Sequence, residues 1–159
     1  MYKLTKPHNT ITRINDGANI PSDPDNTDYA AYLAWVAAGN TPEPRPLQEV
    51  RDEKLTELRA LRDAACSANV TAQGKTFTAE PKVQTGFKRL ADRMRRGKPS
   101  KLSAILDANG KPVTVNIALL DAIEDAIADN TESAWEKYGQ LVQQVKAANT
   151  VDQVNAIVW

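Results

Sequence analysis

Asp28-Tyr29-Ala30-Ala31-Tyr32-Leu33-Ala34-Trp35-Val36-Ala37-Ala38-Gly39-Asn40, running into Thr41-Pro42-Glu43-Pro44-Arg45-Pro46, is the stretch around which this 159-residue chain is organised. It reads as a capped helix over 29–38 followed by a stiff proline linker. Asn26, Thr27 or Asp28 can accept a bond from the first free backbone N–H groups, and Gly39 or Asn40 can take the left-handed turn that ends a helix. Tyr29, Tyr32, Leu33 and Val36 fall at helical spacing on one face, with Trp35 beside them. A helix of about three turns is marginal alone in water, so this aromatic stripe needs a surface to lie against. Three prolines in five residues favour an extended spacer. Two readings follow: a helix packed on its own domain, or a docking helix held out on a spacer.

Upstream, Tyr2–Leu4 and Thr10–Ile14 favour strands, and Asn15-Asp16-Gly17 is a strong turn signal with Ala18–Ile20 returning. A hairpin and one helix hide little apolar area, so residues 1–40 are expected to lean on a partner or on the rest of the chain. The expected organisation is an attachment module at 1–40, a linker at 41–46 and an α+β domain at 47–159.

Downstream, a helix is predicted from Pro46 to about Ala68, with Leu47, Val50, Leu58, Leu61 and Ala65 as its stripe and Leu55 widening it. Gln73-Gly74 joins Val70–Ala72 to Lys75–Thr78 as a tight hairpin. Glu80-Pro81 opens a helix on which Val83, Phe87, Leu90 and Met94 share one face, ended by Gly97 and Pro99. A third hairpin is centred on Asp107-Ala108-Asn109-Gly110. Asn116 caps a helix over 117–129 with Leu119, Leu120, Ile123 and Ile127 inward. Thr131 caps another, with Trp135, Tyr138, Leu141, Val142 and Val145 inward. Thr150-Val151-Asp152-Gln153 is a capping-box pattern that starts a last short helix. The fold class is α+β, with three hairpins and about five helices.

Net charge is zero but unevenly placed. Residues 47–101 hold 13 basic and 7 acidic side chains, whereas residues 102–159 hold 3 and 8. The surplus collects at Lys88, Arg89, Arg93, Arg95 and Arg96, and the deficit at Asp121, Glu124, Asp125 and Asp129. The two are expected to form a charge-complementary surface, within the chain or between chains. Nucleic-acid binding by segment 88–101 is the competing reading, set against the absence of aromatic residues from the basic face.

Candidate chemistry is sparse. His8 is the only histidine and Cys66 the only cysteine, which excludes a histidine triad, an internal disulfide and a multi-cysteine zinc site. The Gly-Lys pairs at 74–75, 97–98 and 110–111 sit in no phosphate-loop pattern. Cys66 is expected to be a buried structural residue. No run reaches the roughly 18 apolar residues of a membrane span. The expectation is a non-enzyme without cofactor or metal.

Two resemblances add to this reading. Residues 20–44, with Asp-Tyr-x-x-Tyr-Leu-x-Trp and Gly-Asn-Thr-Pro-Glu-Pro, resemble a segment found in small tail and tail-fibre-region proteins of tailed bacteriophages. About residues 48–159 are similar to a domain of unknown function found in phage tail-fibre clusters. The matching features are a long helix, a Gly-turn hairpin ending in Phe, a Gly-Phe helix, an Asn-Gly hairpin with Val-Thr-Val, and a terminal Trp. The resemblance implies a structural protein of the tail tip or tail-fibre region, made in the bacterial cytoplasm and carried in the virion tail. Its implied partners are other tail or tail-fibre proteins, or further copies of itself, reached through Tyr29, Tyr32, Leu33, Trp35 and Val36. A tail-fibre assembly chaperone is the alternative.

Overall fold

The computed structural model describes residues 1–5, 10–98 and 100–159; the sequence readings placed on His8 and Pro99 lie outside them. The chain has the expected α+β character. It gathers into two compact units, Met1–Glu53 with Ala148–Ala156, and Lys54–Ala147 with Ile157–Trp159. The division falls inside the long helix after the linker, rather than at the linker itself.

In the first unit, β1 (Tyr2–Thr5), β2 (Thr10–Arg13) and β3 (Ala18–Pro21) form an antiparallel sheet in the order β1-β2-β3. The register sets Leu4 opposite Ile11 and Ile11 opposite Ile20. Strand alternation therefore collects Tyr2, Ile11 and Ile20 on one face, where all three are buried. The other face is polar: Thr12 bonds Asn19 across the strands at 2.9 Å and Thr5 at 3.2 Å.

Helix α1 (Thr27–Ala37) lies on the apolar face. Asn26 caps it by accepting from the Asp28 and Tyr29 amides at 2.9 and 3.1 Å, and Gly39 closes it at φ +88°. The segment read as a spacer is paired with the sheet. Glu43 bridges β1 in parallel, with Leu4 N donating to Glu43 O and Glu43 N to Tyr2 O, both at 2.9 Å. An extended proline-flanked strand is well suited to such an edge position, because it needs to offer only a few N–H groups.

Helix α2 (Leu47–Cys66) begins in this unit. Pro46 sits one position before it and its carbonyl accepts from Val50 N, so it serves as the cap rather than as the first helical residue. Leu47 and Val50 pack with Ala148, Val151 and Val154 of α5 (Val151–Asn155). Arg51 donates to the Ala148 carbonyl at 2.6 Å. Thr150 caps α5 through Gln153 N, and the Gln153 side chain accepts from Asn149 N at 2.6 Å.

The second unit holds the remainder of α2, the hairpin β4 (Val70–Ala72) and β5 (Lys75–Phe77), α3 (Pro81–Arg95), the hairpin β6 (Ala104–Leu106) and β7 (Pro112–Thr114), and α4 (Ile117–Ala147). Gln73 and Gly74 both take positive φ, +49° and +72°, the pair of left-handed residues that a two-residue hairpin turn requires. The core centres on Phe77, Phe87, Ala91, Ile105, Leu119, Leu120 and Ile123. Phe77 and Phe87 meet edge to face at 6.2 Å. A second cluster joins Leu58, Leu141, Val145 and Ile157, with Leu55, Tyr138 and Trp159 against it.

Three expectations are corrected here. The helices read as separate, over 117–129 and from Thr131, are one helix of 31 residues. Asn130 Nδ2 donates to the Ala65 carbonyl at 2.7 Å, so its side chain ties α4 to α2 instead of ending a helix. Trp135, read as inward, is 52% exposed. Cys66, read as buried, is half-buried at the end of α2.

Candidate interaction surfaces

The aromatic stripe of α1 is turned toward its own sheet. Tyr2 stands at its centre, edge to face with Tyr32 at 5.2 Å and with Trp35 at 5.1 Å. Tyr32 stacks on Tyr29 at 5.9 Å and on Trp35 at 6.5 Å. Each such pair adds about 0.5–1.5 kcal/mol beyond area burial. Burial also raises the Tyr32 phenol above its ordinary pKa. The sheet, through Tyr2, Ile11 and Ile20, gives these rings a seat without burying them.

All three rings are nevertheless only half-covered, and α1 contains no buried residue. Leu33 and Val36 point away from the sheet, 47% and 36% exposed, among exposed Ala30, Ala34 and Ala37. Of the five residues read as partner-binding, the structure thus gives Tyr29, Tyr32 and Trp35 an internal role and leaves Leu33 and Val36 outward. Arg13 steadies the start of the helix, bonding Asp28 at 2.7 Å and Asp16 in the turn.

The charge-complementary surface is partly closed within the chain. α3 and α4 pack along one another through Phe87, Ala91, Leu120 and Ile123. Over this seam Arg95 reaches Glu124 at 2.8 Å and Asp121 at 2.5 Å, besides Asp92 on its own helix. The bonds to Glu124 and then Asp121 hold the Arg95 guanidinium even more firmly protonated than usual. Lys88 lines a shallow cleft beside Glu124 with Gln84, Thr85, Ile127 and Ala128. Lys88, Arg89 and Arg96, and Asp125 and Asp129, form no ion pair among the described residues. Of the five basic residues singled out, Arg95 is the one seen to bridge to α4 among the described residues; Lys88, Arg89, Arg93 and Arg96 are exposed.

Two features escaped the sequence reading. Arg45, within the linker, is buried and turned to Glu49 and Glu53 on α2. The bond to Glu53 is the main reason its pKa is raised, with Glu49 second. It lines a cleft of about 690 Å³ with Leu4, Thr5, Leu47, Thr150 and Asp152. Two carboxylates already answer its charge, so the cleft is no ready receptor for an anion. A Pro-Arg-Pro-x-x-Glu spacing, with the arginine four residues before an acid on a helix start, is the signal that was available.

The second is Trp135, whose ring holds the Arg62 guanidinium 4.1 Å from its centre, with Tyr138 4.8 Å from the same group. A tryptophan at helical spacing among apolar residues reads as core. Here it lies over an arginine of α2 and keeps half its surface in solvent.

Among the described residues no helix is long and apolar enough to cross a membrane, and no group of three or more histidine, cysteine, aspartate or glutamate side chains is placed to hold a metal ion. Comparison with curated proteins and with solved structures returns no match. A family model does match, over residues 49–158, which take in α2 from its first turn through α5. The chain belongs to the DUF4376 family, a domain of unknown function.

Proposed function

We propose that this chain is a non-enzymatic structural protein of a bacteriophage tail, of the tail-tip or tail-fibre region, attached through its N-terminal unit. The resemblance of residues 20–44 to tail-region proteins motivates the assignment. The observation that carries the attachment is the disposition of α1. Its rings are used to seat it on the sheet, and Leu33 and Val36 are left facing solvent on a rigidly capped helix. A helix anchored on one side, with an aliphatic pair exposed on the other, suits a groove on a second protein. This element lies outside the family-matched residues 49–158, so the attachment role falls to the part of the chain that precedes the family domain.

Quantitative mass spectrometry of purified particles tests the assignment. Stoichiometric presence of the chain supports a virion component, and its absence from particles that require it for assembly assigns it to an assembly chaperone instead. The full-length variant Leu33→Glu/Val36→Glu tests the attachment. It is expected to fold, as read by circular dichroism, and to be missing from particles; normal incorporation removes α1 as the attachment element.

A further inference from the structure

Outside the Arg95 bridge, α3 and α4 each carry a row of like charge. At 3.6 residues per turn, Lys82, Arg89, Arg93 and Arg96 fall within about a sixth of a turn of one another on α3 and its capping residue. Asp125, Asp129, Glu132 and Glu136 fall within a similarly narrow sector of α4. All eight are exposed. The basic row lies away from the seam residues Ala91 and Arg95. The acidic row lies away from Leu120, Ile123 and Glu124 and borders the seam at Asp121, one turn before Asp125; one copy of the chain does not bring the two rows face to face. Lys82, Arg89, Arg96, Asp125, Asp129 and Glu132 make no ion pair among the described residues.

The rows also match in pitch. Arg89, Arg93 and Arg96 are separated by four and three residues, as are Asp125, Asp129 and Glu132. Asp129, Glu132 and Glu136 give the same steps in reverse order. With a rise of about 1.5 Å per residue, the charges of one helix meet those of the other at every step in either relative direction.

We propose that these rows join copies of this chain, the basic row of α3 in one copy lying on the acidic row of α4 in the next. The contact is head to tail, so each added copy presents a fresh row until a ring closes or the ends remain open. A second copy fits better than nucleic acid. Three residues of each row share one spacing, the basic row carries no aromatic residue for bases to stack on, and the acidic row would repel a polyanion. Exposed ion pairs are individually weak, so the association is salt-sensitive and needs high local concentration. It does not depend on the tail assignment.

Sedimentation of the full chain at about 50 mM and about 500 mM NaCl is the test, these being ionic strengths that differ severalfold in screening. Self-association is expected at low salt and at least about tenfold weaker at high salt. Arg89→Glu/Arg96→Glu and Asp129→Lys/Glu132→Lys are each expected to be monomeric at low salt with an unchanged circular dichroism spectrum. Mixing the two in equal amounts is expected to restore association. A wild-type chain that stays monomeric at low salt and high concentration overturns the proposal. So does association that persists in both variants, or a mixture that remains monomeric. A wild-type chain that binds random-sequence duplex DNA without self-associating, lost in Arg89→Glu/Arg96→Glu and strengthened in Asp129→Lys/Glu132→Lys, assigns the basic row to nucleic acid and equally overturns it.

Discussion

Helices α1 and α3 both carry an apolar stripe on one face, and they end in different circumstances. α3 buries Phe87 and Ala91 beneath two hairpins and α4, and turns its charges outward. α1 has the larger side chains yet buries none of its residues. What differs is the surface beneath. Three strands of four residues give α1 one buried contact residue each, Tyr2, Ile11 and Ile20. Coverage is set by the partner's area, not by the size of the ring that seeks it.

The comparison is sharpest where the core is densest. Phe77→Ala removes a fully buried ring that faces Phe87, and is expected to destabilise its unit by about 3–5 kcal/mol in denaturant unfolding. Trp35→Ala removes a half-buried ring and its contact with Tyr2, with an expected loss of about 2 kcal/mol. Equal losses at the two positions would break the comparison and make α1 a core helix.

Asn26→Ala deletes the cap of α1 and is expected to cost about 1 kcal/mol, with loss of helical circular dichroism confined to one short element. Leu33→Glu/Val36→Glu touches no buried group and is expected to change stability by less than about 1 kcal/mol. A loss several times larger would show that this face is covered within the folded chain.

The smallest effect is a titration. The bond from Arg13, with help from the Ala18 amide, holds the Asp16 carboxyl below its ordinary value of 3.8. A depressed pKa means that its contribution is present above the ordinary value and lost as pH falls through the folded one. Carboxyl NMR shifts should therefore give Asp16 a midpoint below 3.8, and Arg13→Gln should move it upward. An unmoved midpoint would show that the pair does not persist in solution.

Much of the fold was legible because its signals are local. The hairpin turns at Asp16-Gly17, Gln73-Gly74 and Asn109-Gly110, and the caps at Asn26 and Thr150, depend on conformations that a few neighbouring residues determine. The apolar stripe of α3 and the inward set Leu119, Leu120 and Ile123 followed from periodicity alone. The proposed surfaces were harder to read. Leu33 and Val36 were grouped with the rings because a helical wheel shows one broad apolar arc. It does not show which part of that arc a narrow sheet will cover.

What the sequence determined by itself is therefore the kind and place of nearly every element, together with the charge rows that α3 and α4 carry. Only the tertiary structure decided that Glu43 joins the edge of the sheet, that Arg45 is buried against Glu49 and Glu53, and that Asn130 secures α2 instead of dividing α4. It also decided that one arginine, Arg95, closes the seam between α3 and α4 while its neighbours stay outside. Each of these is a polar group choosing among several partners of similar local merit. Residues distant in sequence supply the deciding geometry, and no pattern within a single helix or turn records it.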